Sequence, residues 1–195
     1  TLITSQVSVS AGAILGGGGL IDATANINSA ILAPGYTSPA APFVPLSAAT
    51  LTVTGGVTLT NNAKLLVTLD DRNNYSQIVS GGDFILDGAN NRLEVVLNFE
   101  PTSTDVFTIV SALSVTGKFK LDTIDGKEDI VMAHYNGVSY PLAVSYFNNP
   151  GMILLTPVPE PGTYGLFAAL GALALVALRR RCRQGTNTAA KATPN

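Results

Sequence analysis

The chain has 195 residues but only one cysteine, one histidine and no tryptophan. With Cys182 as the sole thiol, no intrachain disulfide can form, so packing and backbone hydrogen bonds must hold the fold. His134 as the sole histidine excludes a multi-histidine metal site and leaves a Ser–His–Asp arrangement a single candidate base. Charged residues are also scarce, at 12% of the chain, and none of the 13 acids follows Glu160. The first 156 residues hold 12 acids and 6 bases, a formal −6, whereas five of the 11 bases lie beyond Leu178. A body with neither a basic patch nor an aromatic stacking cluster is not a nucleic-acid binder. The acidic body and cationic end instead suit an exported domain with a cytoplasmic tail.

Candidate chemistry is thin. His134 sits between Ala133 and Tyr135 in an apparent strand, which points to a structural or surface role. Gly16–Gly19 and Leu20-Ile21-Asp22 approach the calcium-binding G-G-x-G-x-D pattern but miss its spacing. Asp122, Asp125, Glu128 and Asp129 form the densest acidic cluster, without the alternating acids of an EF-hand, and read as a solvated loop. No G-K-[ST] follows the glycine run, so it is not a P-loop. The expectation is a non-enzyme with no catalytic residue, no cofactor and no metal site.

What is present is β patterning. Short alternating runs occupy Gln6–Ser10, Ala25–Leu32, Leu51–Thr54, Val57–Thr60, Lys64–Leu69, Gln77–Val79, Asp83–Leu86, Arg92–Phe99, Val106–Ser111 and Gly117–Leu121. Glu128–Tyr135, Val138–Tyr146 and Met152–Thr156 follow. The breakers between them include Gly16–Gly19, Asn61-Asn62, Asn90-Asn91 and Asn148-Asn149-Pro150-Gly151. Paired asparagines tolerate positive φ and suit turns. Gly55-Gly56 and Gly81-Gly82 form a weak internal echo at an offset of 26, which drifts to 28 at the next strand. A drifting offset predicts stacked rungs joined by turns of variable length.

Near the C-terminus stands a different pattern: Val158-Pro159-Glu160-Pro161-Gly162, a charge-free run from Tyr164 to Leu178, then Arg179, Arg180, Arg181, Cys182 and Arg183. The prolines keep the chain around Glu160 extended, and the apolar run is rich in helix formers. As a helix it spans about 22 Å against roughly 30 Å of hydrocarbon, a gap that arginine snorkelling and local thinning make up. The arginines hold their end in the cytoplasm. This arrangement closely resembles the PEP-CTERM sorting signal of bacterial proteins. The resemblance implies export, transient inner-membrane retention with the body outside, and processing by an exosortase-type membrane protease. The twelve residues Gln184–Asn195 run on further than that family's usual end and are expected to be a disordered tail. Cys182 reads as an unmodified bystander beside the membrane. Because no apolar leader opens the chain, it is expected to be the C-terminal part of a longer product or the outcome of a broken gene model.

From Val7 to Gly35, and again in T-G-G-V-T-L and I-V-S-G-G-D-F-I-L, the sequence is similar to the passenger repeats of autotransporter-type β-helices. The resemblance implies an all-β fold: a right-handed parallel β-helix with an irregular β cap, followed by one C-terminal hydrophobic helix. A β-sandwich or jelly roll is the alternative. The expected organisation is an exported β-rich domain at 1–156, with rungs over 1–121, a Pro-rich loop at 36–50 and the cap at 122–156. The sorting signal follows at 157–183, with its membrane helix at 164–178, and the tail at 184–195. The expected role is a cell-surface or matrix-associated structural or adhesion protein, with extracellular polysaccharide as a partner. The alternative is a polysaccharide-acting β-helix enzyme.

Overall fold

A computed structural model describes residues 5–36, 47–124 and 127–158, the side chains of 122–128 excepted. These residues fall within one compact unit that ends at Val158. Among them are strands only. They are β1 (Gln6–Val9), β2 (Ile14–Gly17), β3 (Gly19–Ile21), β4 (Thr24–Asn28), β5 (Ile31–Pro34), β6 (Thr50–Val53), β7 (Val57–Thr60) and β8 (Lys64–Leu69). There follow β9 (Gln77–Ser80), β10 (Phe84–Asp87), β11 (Arg92–Leu97), β12 (Phe107–Ala112), β13 (Val115–Thr116) and β14 (Asp122–Ile124). The chain closes with β15 (Lys127–Tyr135), β16 (Val138–Asn148) and β17 (Gly151–Pro157).

From β1 to β10, each strand pairs with the strand three places further along the chain. One sheet is the parallel ladder β1-β4-β7-β10-β13. The other sheet runs β2-β5-β8-β11, crosses through β15-β16-β17, and returns along β12-β9-β6-β3. Its two ends, β2 and β3, are separated only by Gly18, so this sheet nearly closes on itself. The parallel pairing over residues 6–116 is not that of an antiparallel sandwich or jelly roll.

The alternation now has a physical reason. Every second side chain points inward and stacks on its counterpart in the next rung, as Ala25, Val57, Phe84 and Val115 do through their parallel register. All four are buried, and Leu32, Leu65 and Leu93 form a second column. Each buried aliphatic or aromatic side chain contributes roughly 1.5–3 kcal/mol of transfer free energy. The drifting offset is also explained. Register separates rungs by 18 residues at Gln6↔Thr24, 32 at Ala25↔Val57 and 27 at Val57↔Phe84, because strands are constant while corners vary.

Two corners carry the irregularity. Gly82 lies against Gly55-Gly56: a Cβ on Gly82 would come within 2.7 Å of the Gly56 nitrogen, which no side chain tolerates. Opposite, Asn91 is fully buried; its amide donates to the Leu59 and Asp87 carbonyls at 2.9 and 3.0 Å, and its oxygen accepts the Ala63 N–H at 3.1 Å. The Asn91 side chain thereby bonds three backbone groups at the corner, of which the Ala63 N–H also donates to the Thr60 carbonyl at 3.1 Å.

The structure differs from the sequence reading in several places. Ala25–Leu32 is two strands, because Ser29 adopts φ 50° and turns the chain between β4 and β5. Gly16, Gly17 and Gly19 lie in strands, with only Gly18 at the corner. Gly117–Leu121 is not a strand and falls between β13 and β14. The cap region is an antiparallel meander, with β15–β16 turning at Asn136-Gly137 and β17 pairing with β12, and it is irregular where the register shifts between Thr108 and Val110 and between Asp122 and Ile124. Most of the loop at 36–50 and the apolar run 164–178 lie outside the described residues. Among the described residues, no helix is long and apolar enough to cross a membrane.

Candidate sorting junction

The place where the body stops is set by the last hairpin. Asn148-Asn149-Pro150-Gly151 turns β16 into β17, whose inward residues Ile153 and Leu155 are fully buried. β17 pairs with β12 on one flank as far as Phe107↔Leu155 and with β16 on the other as far as Leu142↔Pro157. One further bond follows: the Val158 N–H donates to the Pro141 carbonyl at 2.8 Å. Val158, the first residue of the expected sorting motif, is therefore part of the ladder and half-buried. Pro159, Glu160, Pro161 and Gly162 lie outside the described residues, as do Arg179, Arg180, Arg181, Arg183 and Cys182.

β16 begins at Val138, and its first residues pair with β15: Tyr140 with Ala133, Ser139 with His134 and Val138 with Tyr135. The Ser139 hydroxyl meets His134 Nδ1 at 2.9 Å, and both residues are exposed. Val138 keeps 48% of its surface exposed. His134 is thus a surface residue, one of the two roles to which its sequence neighbours pointed.

Elsewhere the polar side chains bind one another from rung to rung. Thr54 donates to Asp22 at 2.8 Å, Ser114 to Asp83 at 2.7 Å and Asn98 to Asp70 at 2.6 Å. Lys64 pairs with Glu94, and of the acidic cluster Asp129 holds Lys118 at 2.6 Å. A cavity of about 230 Å³ opens where β11 and β15 part, lined in part by Arg92, Glu94, Lys120 and Met132. Two of its charges are engaged, Glu94 with Lys64 and Lys120 with the Asn90 side chain at 3.1 Å. No group of three or more His, Cys, Asp or Glu residues is placed to hold a metal ion among the described residues.

The cap is tied to the last rung by Tyr146. Its phenol oxygen accepts the Phe119 N–H at 3.1 Å, and Lys118 Nζ lies 5.5 Å from the ring centroid. Burial pushes the Tyr146 phenol well above its ordinary value, opposed by the Phe119 hydrogen bond and aided by Asp129.

Residues 157–181 match the family described as the PEP-CTERM protein-sorting motif. The match starts on the last residue of β17 and takes in Pro159-Glu160-Pro161, the apolar run and Arg179–Arg181. No curated protein and no solved structure matches the chain. The chain therefore carries a C-terminal protein-sorting motif of the PEP-CTERM kind, and the folded body runs into it without a spacer.

Proposed function

We propose that this chain is an exported protein, held transiently in the inner membrane with its body outside and released by an exosortase-type protease. The observation that carries this reading is the junction: the body ends at Val158 and the sorting motif match runs from 157 to 181. Residues 159–163 separate the ladder from the apolar run and span at most about 18 Å when extended. A run of charge-free residues followed by Arg179, Arg180, Arg181 and Arg183 favours a cytoplasmic tail. The body then lies on the outer side, and the protease reads Pro159-Glu160-Pro161 there.

For the body we propose a right-handed parallel β-helix of the autotransporter-passenger kind, serving as a non-enzymatic structural or adhesion element at the cell surface or in the matrix. Pairing three strands along the chain supports a solenoid, since each rung then contacts only its neighbours. The rung-to-rung engagement of Asp22, Asp70, Asp83 and Glu94 supports a structural use of those carboxylates. Extracellular polysaccharide is the partner that this setting favours.

The test is to express the protein with Glu160→Ala in a host that carries an exosortase and to follow an epitope in the body. The variant should stay in the membrane uncleaved while the unaltered protein is released. Release of the variant at the normal rate contradicts the proposal.

A further inference from the structure

We propose that the gap between β11 and β15 binds one acidic sugar, a hydroxyl-bearing ring that carries a carboxylate. The gap arises where a rung breaks off. Lys64 stacks on Ile31 and Arg92 on Lys64, and their N–H groups donate to the Ala30 and Ala63 carbonyls. Lys120 opens the next rung in the same way, its N–H donating to the Asn91 carbonyl at 2.7 Å. The chain then leaves β11, because Asp122 pairs with Ile130 of β15. β15 itself comes alongside β11 only at Val96↔His134.

Main-chain groups of both strands turn into this gap. The Arg92 N–H faces β8, so by alternation the Leu93 N–H and C=O face the other way. Pro141 gives its carbonyl to Val158, so its partner Met132 turns its N–H and C=O away from β16 and toward β11. Two donors and two acceptors thus face a cavity of about 230 Å³, beside the apolar side chains of Leu121 and Ile130. Sites for drug-sized ligands run to roughly 300–1,000 Å³, so this one takes a single ring.

The charges select an anion. The register stacks Lys64, Arg92 and Lys120 on neighbouring rungs about 4.8 Å apart, three of the six bases in residues 1–156. Like charges side by side across strands repel. Glu94 offsets Lys64, while Lys120 bonds only the neutral Asn90 side chain. Arg92 lines the cavity and has neither an ion pair nor a side-chain hydrogen bond among the described residues. A carboxylate beside Arg92 relieves the repulsion. Sulfate would bring charge but only acceptors, leaving the Leu93 and Met132 carbonyls without a donor, whereas ring hydroxyls both donate and accept. This assignment rests on the reading of extracellular polysaccharide as the partner and narrows it to a polymer that bears carboxylates.

Titrating the full chain in detergent micelles with glucuronate, followed by amide NMR shifts, tests the site. The Leu93 and Met132 amides should shift saturably, and glucose and sulfate should each bind at least about tenfold more weakly. Arg92→Gln should weaken glucuronate binding at least about tenfold while the Val57 and Leu59 amides keep their shifts, which shows the rungs intact. Glucose or sulfate binding as tightly as glucuronate overturns the proposal. So does an Arg92→Gln protein that binds as before, or a titration that leaves the Leu93 and Met132 amides unmoved. Co-sedimentation of the unaltered protein with extracellular polysaccharide reads the partner proposal by itself, so either idea can fail while the other stands.

Discussion

Ala63 and Asn91 stand 28 residues apart in the chain yet share a corner, the Ala63 N–H donating to the Asn91 side-chain oxygen at 3.1 Å. The same side chain caps the Leu59 and Asp87 carbonyls, so one amide joins two rungs and closes its own turn. Asn91→Ala removes the side-chain donor from the Leu59 and Asp87 carbonyls, while the Ala63 N–H keeps its bond to the Thr60 carbonyl. A buried group left without a partner costs about 1–3 kcal/mol, so the variant should lose stability by about that amount in chemical denaturation. Unchanged stability would mean that the corner is not held by this side chain.

Tyr146 makes stability depend on alkaline pH. Its phenol is held above the ordinary value of about 10, so between that pH and its folded value the unfolded chain releases a proton that the folded chain keeps. The stability it contributes is complete below about pH 10 and falls as pH rises beyond that point. Tyr146→Phe leaves the Phe119 N–H without its acceptor and should cost about 1 kcal/mol at neutral pH. The gap between the two proteins should then narrow above about pH 10, as thermal or denaturant unfolding across that range would report. A gap that stays constant into strong alkali contradicts the assignment.

Local chemistry was the part of this fold that could be read in advance. Val57-Thr58-Leu59 alternates because only Val57 and Leu59 face the core, and Gly55-Gly56 recurs as Gly81-Gly82 because the two pairs lie against each other. The closing hairpin through Asn148-Asn149-Pro150-Gly151 was equally visible. Corners were not. Ser29 turns the chain within an unbroken alternation, and Gly16, Gly17 and Gly19 are strand residues although glycine ordinarily signals a break. At the candidate site, the Pro-Glu-Pro pattern and its apolar and cationic flanks declared the sorting motif directly. The contact of Ser139 with His134 had no local signal, because it arises from the pairing register of β15 and β16, which no residue states by itself.

The central claim is that the body ends where a removable sorting signal begins, and the C-terminus of the released protein tests it most directly. Mass spectrometry of the C-terminal peptide of the extracellular form should place the last residue at or after Val158 and before Tyr164, with β17 intact. A released form that retains Tyr164–Leu178, or one that ends inside β17, would contradict it.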